Sequence, residues 1–183
     1  MNELRTIVNP NETILYEGRP NEKCFWFENI FNPLLPLALL WGIIDLAILG
    51  ISYKEITTKG VVIFIILPFI LFHMMPVWIY LCGAIFSSKN HRNTSYIITD
   101  KTIYISGGTF TKHIESFSFS DISDIQLHRG LFDRFFDVGD IKITSNKRDK
   151  DGNRISTKIS SISGYVDIYN MLKTIYENEK NNY

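Results

Sequence analysis

Cysteine is scarce in this chain, and charge of neither sign is in excess. Cys24 and Cys82 are its only cysteines, which excludes a disulfide framework and leaves no cysteine cluster for a metal. Lysine plus arginine and aspartate plus glutamate number 19 each, so the charge balance gives no indication of nucleic acid. The composition therefore points neither to an oxidising compartment nor to a nucleic-acid partner.

Signatures of catalysis are missing as well. His91, His113 and His128 are scattered, and no spacing typical of metal ligands recurs. No nucleophile elbow, phosphate-binding loop or dinucleotide fingerprint is present. We therefore expect a protein that is not an enzyme, with no catalytic residues, no metal and no cofactor, and no small-molecule substrate is evident.

Two long apolar runs, residues 32–52 and 60–86, dominate the first half of the chain. Each run exceeds the roughly 20 apolar residues that cross a bilayer as a helix. The amino terminus lacks the basic start of a cleaved signal, so the first run is expected to stay as an anchor. The sequence thus predicts a transmembrane hairpin with helices at about 31–52 and 61–86.

The connection and the flanks of this hairpin carry further information. Residues 53–59 form the predicted connecting loop, and Pro68 and Pro76 should bend the second helix. Aromatic residues just before the first helix are expected in the membrane interface: Phe25, Trp26 and Phe27. The distribution of basic residues favours both termini in the cytoplasm, and hence a multi-pass protein of the inner membrane: Arg5, Arg19, Lys23, Lys89 and Arg92 flank the hairpin, with Lys54 and Lys59 between the helices.

Asp45 and His73 are the ionisable groups that the hairpin places at membrane depth. Counting the rise along two antiparallel helices puts each within about one turn of the midplane, so their side chains can meet. A charged carboxylate at that depth costs about 2.5 to 3.5 kcal/mol, so Asp45 should be neutral or paired. Two interpretations stay open: an interhelical hydrogen bond that fixes packing, which we favour, or a proton or ion path, which would need an oligomer.

From Ser95 onward the hydrophobic period changes to two, which is typical of strands. Strands are predicted at 95–99, 102–106, 109–119 with a bulge or bend, 124–129, 139–145 and 154–160. After Gly164 the apolar residues follow a helical period to the polar carboxy terminus. The expected fold is α+β: a membrane hairpin, then an antiparallel barrel or sandwich of six to seven strands capped by a helix. The predicted units are residues 1–30, 31–86 and 87–183.

Several stretches of this chain resemble one known family. ILYEGRP before the hairpin, YIITDKTIYISGG, and SFSDISDIQLHRGLFDRFFDVGDIKITS before the last helix are similar to bacterial pleckstrin-homology (PH) domains of the YdbS-like type. The resemblance covers residues 12–179 and is most specific over 129–141. It implies a PH-like barrel on the cytoplasmic face of a bacterial membrane, with no established catalytic activity. Phosphoinositide-binding PH domains hold the headgroup from a longer first β-turn, whereas that turn is here taken to be Asp100-Lys101, so no headgroup residues are carried over.

Two segments are candidates for contacts. The sequence GLFDRFFDV places apolar side chains outside any regular alternation, either beneath the barrel, as we favour, or on a partner or membrane surface: Leu131, Phe132, Phe135 and Phe136, beside Arg129 and Arg134. The late hairpin carries a basic stretch that could contact anionic lipid, although a solvated turn is the favoured interpretation: Lys147, Arg148, Lys150, Arg154 and Lys158.

We therefore expect a PH-like module tethered to the membrane, which binds a protein partner or assembles with copies of itself. A different interpretation makes the chain a membrane subunit of a small export or peptide-resistance system, with Asp45 and His73 lining a shared path. A third makes it a sensor of anionic lipid.

Overall fold

The computed structural model describes residues 2–58 and 63–181, and the chain divides into two compact units. One unit is made of Met1–Glu28 together with Ser88–Tyr183, and the other is Asn29–Ser87. The first unit is therefore discontinuous in sequence, because the second is inserted within it.

The first unit contains a four-stranded and a three-stranded antiparallel sheet. The first sheet has the order β1-β2-β3-β4, with β1 Ile14–Gly18, β2 Ser95–Thr99, β3 Thr102–Gly107 and β4 His113–Ser118. The second has the order β5-β6-β7, with β5 Ile122–His128, β6 Gly139–Arg148 and β7 Arg154–Ile162. The prediction of six to seven antiparallel strands is confirmed for the part of the chain that the structure describes.

Strand β1 is absent from the sequence analysis, which assigned residues 1–30 to a segment apart from the barrel. It pairs antiparallel with β2, with Gly18 opposite Tyr96 and Glu17 opposite Ile97. A five-residue edge strand shows little alternation, and its partner lies far along the chain, so no local pattern reveals the pairing. A short amino-terminal helix, α1 (Asn2–Arg5), buries Leu4 against Ile97 and Tyr104.

The core lies between the two sheets and a carboxy-terminal helix, α7 (Tyr165–Asn181). The alternate isoleucines of the strands point into it, and the apolar stripe of α7 covers it, as the two periodicities predict. Its fully buried members include Ile98, Ile103, Ile141, Ile143, Ile159 and Leu172. The predicted capping helix is thus confirmed.

Two predictions about the connections are wrong. The strand expected over 109–119 begins only at His113, because Gly108 turns the chain at a φ of 122°, and it ends before a short 3₁₀-helix, Phe119–Asp121. The segment GLFDRFFDV is not irregular: it contains a helix, α6 (Leu131–Phe136). The Asp133 carboxylate accepts a hydrogen bond from Gly130 N at 2.7 Å, and Asp137 ends the helix in the left-handed region.

The second unit is helical, and the helices at its two ends extend into the first unit. Helix α2 (Glu22–Ile30) precedes α3 (Leu35–Thr58), and α4 (Ile63–His73) precedes α5 (Met75–Asn93). Helix α3 continues to Thr58, so residues 53–58 are helical where a loop was predicted, and residues 59–62, with Lys59, lie outside the described residues. Between α4 and α5 the axis bends by 52° next to Pro76, whose ring removes a backbone donor.

By length and apolar composition, the helix over Leu35–Tyr53 is able to cross a membrane, and α4 with α5 forms a second such element if the bent pair is one span. Only 11% of the first stretch is buried within the protein. Most of its apolar side chains are therefore not covered by the described residues, and a long exposed apolar stretch of this kind marks a membrane or protein contact.

Candidate functional site

Within the second unit, Asp45 of α3 and His73 at the end of α4 are in contact. Nδ1 of His73 lies 2.7 Å from Oδ1 of Asp45, whose side chain is completely buried. Trp41 and Phe69 stack on the imidazole with ring centroids 5.5 and 5.4 Å away. The second carboxylate oxygen, Oδ2, has no hydrogen-bond partner among the described residues. The pair joins two apolar helices through a polar contact that can share a proton.

Within the first unit, the apolar side chains of α6 divide into two sets. Phe132 and Phe136 face α2, where their rings lie 6.3 and 5.3 Å from that of Phe27. Leu131 and Phe135 point away, and each is 80% exposed. Two of the four apolar side chains are thus covered by α2 and two are exposed, and a partner or membrane contact of the exposed pair stays a prediction.

The aromatic residues before the first long helix also take different positions. The ring of Phe25 stacks on His91 of α5 at 4.5 Å, and Phe27 packs against α6. Trp26 is 54% exposed and contacts Phe27 edge to face. We name Trp26, Leu131 and Phe135 the α2–α6 apolar surface, because these exposed residues lie on two helices that pack together.

The arginines beside this surface have different environments. The Arg129 side chain donates to Val138 O and to Asp137 Oδ1, each at 3.1 Å, and lies over the Tyr165 ring. Arg129 therefore fixes the end of α6 against α7. Arg134 is exposed and adds a positive charge next to the apolar surface.

Beneath α6 lies a polar cluster to which the sequence analysis assigned no role. The Cys24 thiol of α2 donates to Asp133 Oδ1 at 3.5 Å, and both side chains are fully buried. Burial, with Glu28 nearby, raises the pKa of the Cys24 thiol to about 12. Burial together with the carboxylates of Asp133 and Asp140 raises the pKa of Glu28. The sequence signal was the spacing of Cys24 and Glu28, four residues apart on one helix.

The basic residues of the late hairpin do not form a purely cationic patch. Lys147 pairs with Asp121, and Lys158 pairs with Asp140, each at 2.6 Å. Arg148 donates to the Gly152 carbonyl at the tip of the hairpin. Lys150 and Arg154 are exposed. Carboxylates thus already neutralise part of the positive charge that a contact with anionic lipid would use.

Comparison with known proteins gives one match. A family model described as "Bacterial PH domain" matches residues 34–170, which is most of the chain. No curated protein and no solved structure gives a significant match. The match does not separate the YdbS-like type from other members, so that assignment stays a prediction.

Proposed function

The chain belongs to the bacterial PH-domain family, and from this premise we propose that it is a membrane-tethered binding module. In this proposal α3 and the bent pair α4 and α5 span the inner membrane, with both termini in the cytoplasm. The unit formed by Met1–Glu28 and Ser88–Tyr183 then binds a protein partner or a second copy of the chain. PH domains are in general binding modules without catalytic activity, which agrees with a role in assembly.

The observation that carries this proposal is the place of the apolar helices in the PH topology. They occupy residues 19–94, the connection between β1 and β2. Gly18 at the end of β1 lies opposite Tyr96 near the start of β2. The chain therefore leaves the sheet and returns to it at neighbouring positions. The turn Asp100-Lys101, taken from the sequence as the first β-turn, joins β2 to β3 and is the second connection. Phosphoinositide-binding PH domains hold the headgroup with basic residues in their first β-turn. In this proposal the first connection of this chain, between β1 and β2, carries the membrane anchor instead.

The α2–α6 apolar surface supports a protein contact in the tethered unit. Two large apolar side chains, Leu131 and Phe135, stand on a six-residue helix that is fixed from below by Phe132 and Phe136. Exposed aromatic residues and arginine are enriched at protein interfaces, and Phe135 stands next to Arg134. Because tethering raises the effective concentration of the unit, even a weak contact at this surface suffices.

The test is the size of the complex formed by the full-length protein. We compare the wild type with a Leu131→Ser/Phe135→Ser variant by cross-linking in native membranes and by mass measurement in mild detergent. Phe110→Ser is the matched control, since Phe110 is 76% exposed in the β3–β4 connection, outside α2 and α6. Loss of hot-spot contacts should weaken assembly by about tenfold or more in the double variant only. An unchanged complex in the double variant would exclude this surface.

One observation favours a second candidate, the membrane subunit of an export system. Asp45 and His73 are in contact, and the second Asp45 oxygen has no partner within the described part of the chain; ionisable pairs inside membrane helices mark proton or ion pathways in many transporters. Under this candidate, Asp45→Asn abolishes transport while the complex stays intact. If the complex dissociates instead, the pair serves packing.

A further inference from the structure

The cluster beneath α6 has the composition and placement of a metal site. We propose that Cys24, Glu28 and Asp133 bind a divalent cation of the zinc class. Cys24 and Glu28 lie one turn apart on the same face of α2, and Asp133 belongs to the first turn of α6. The two helices pack together through Phe27 and Phe136, so a shared ion would join them at a second point.

The distances between the ligand atoms fit such an ion. One atom from each of the three side chains lies within 4.8 Å of the other two. Bonds of about 2.3 Å to sulfur and about 2.0 to 2.2 Å to oxygen place tetrahedral ligands roughly 3.5 Å apart. The Glu28 side chain is only partly buried, so its rotation could bring its carboxylate closer to the other two ligand atoms. The side chains of Cys24 and Asp133 are held in place by burial.

Ser161 supplies an independent indication of a ligand. Its hydroxyl is fully buried beside the Cys24 thiol, a weak hydrogen-bonding group with which it interacts, and has no partner of ordinary hydrogen-bond geometry among the described residues. The residue has a φ of 49°, and its backbone N–H donates to Asp140 Oδ1 at 2.8 Å. A buried hydroxyl whose neighbour is a weakly hydrogen-bonding thiol is poorly satisfied, and a metal ion or a water bound to it would satisfy that oxygen. The hydroxyl, or a water that it binds, is suited to the fourth position on the ion.

The charges around the cluster also favour a cation. Glu28, Asp133 and Asp140 converge here, and Lys158 pairs with Asp140. Binding of the ion would release the thiol proton to solvent and form a sulfur–metal bond, so the hydrogen bond from Cys24 to Asp133 is replaced by coordination of both groups. A thiolate ligand selects zinc-like ions over magnesium and calcium, which prefer oxygen alone.

Cobalt and zinc titration of the full-length protein tests this site. Chelator-treated protein in detergent is titrated with Co²⁺, and the thiolate-to-cobalt charge-transfer absorption is recorded before Zn²⁺ is added as a competitor. We expect one equivalent of Co²⁺ with this absorption, which Zn²⁺ displaces. Cys24→Ser should abolish the absorption, whereas Cys82→Ser should retain it, because Cys82 is an exposed residue of α5.

A second variant keeps the test decisive if Cys24→Ser is poorly folded. Glu28→Gln keeps the thiol and changes a side chain that is only partly buried. Since even residues that merely orient a ligand change metal affinity by about 10- to 100-fold, the loss of Glu28 should weaken Co²⁺ binding by at least about tenfold. No charge-transfer absorption in the wild type, or equal affinity in Glu28→Gln, would overturn the three-ligand site. Because complex size is not the readout, this result is independent of the proposed function.

Discussion

The imidazole Nδ1 of His73 lies 2.7 Å from the buried carboxylate of Asp45, between two helices that are apolar over most of their length. This contact gives one oxygen of the buried Asp45 carboxylate a hydrogen-bond partner on the other helix. It also fixes the rotation of α4 about its own axis relative to α3, because only one side of each helix carries a polar residue at that depth.

The first prediction concerns the energy of this contact. A double-mutant cycle with Asp45→Ala and His73→Ala should give a coupling of about 0.6 to 1.7 kcal/mol, the range of interhelical hydrogen bonds in membranes. The measurement is the free energy of unfolding of the full-length protein in detergent. Asp45→Asn retains an acceptor and is the matched variant, with a smaller loss. A coupling near zero would contradict a role of the pair in packing.

The second prediction concerns the core. Ile159→Ala in β7 should lower the free energy of unfolding by about 2 to 5 kcal/mol, because the side chain is fully buried between the sheets. Ile155→Ala, on the same strand but 37% exposed, should cost less than about 1 kcal/mol. Denaturant unfolding monitored by Trp26 fluorescence, with Trp41 and Trp78 replaced by phenylalanine, reports this unit. Equal losses in the two variants would show that β7 is not packed as described.

The third prediction separates the two faces of α6. Phe136→Ala should destabilise the unit by about 1 to 3 kcal/mol, since its ring packs on Phe27. Phe135→Ala removes the same group from an exposed position and should change stability by no more than about 0.5 kcal/mol. The same unfolding measurement checks both. A large loss in Phe135→Ala would indicate that this ring is covered.

The fourth prediction is a pH dependence caused by Glu28, whose pKa is raised above the ordinary value of 4.5. The folded state then binds the proton more tightly than the unfolded state, so stability falls as pH rises from 4.5 through the raised pKa. Glu28→Gln should remove this fall and make the metal-free protein more stable near neutral pH. Melting temperatures across that window check it, with Glu22→Gln on the same helix as control. A wild-type profile that rises over the window would contradict the sign.

The sequence predicts those parts of the fold whose residues follow a regular period. The strands from β2 to β7 and helix α7 show alternation or a helical stripe, and their apolar residues form the core. Strand β1 was missed because its evidence is the pairing with β2, a long-range contact. Helix α6 was missed because its six residues, Leu131–Phe136, are too few to show a helical period.

The candidate site was less predictable than the fold for a physical reason. Counting the helical rise was enough to indicate that Asp45 and His73 can meet, since both lie on regular elements. The cluster of Cys24, Glu28 and Asp133 depends on how α2 packs against α6, and these helices are distant in sequence. The four-residue spacing connects Cys24 with Glu28 only, and no spacing rule connects either of them with Asp133.

The insertion of the helices between β1 and β2 makes the PH-like unit a split domain. A fragment starting at Ser88 lacks β1 and uncovers one edge of β2, a strand whose residues are all buried, so it should aggregate. Because Phe25 and His91 stack at 4.5 Å, a short linker between Glu28 and Ser88 should yield a soluble version. During synthesis β1 emerges before the helices, and its partner β2 follows them. The first sheet therefore cannot be completed until all of the inserted helices have been made, which makes this pairing a long-range contact that forms slowly.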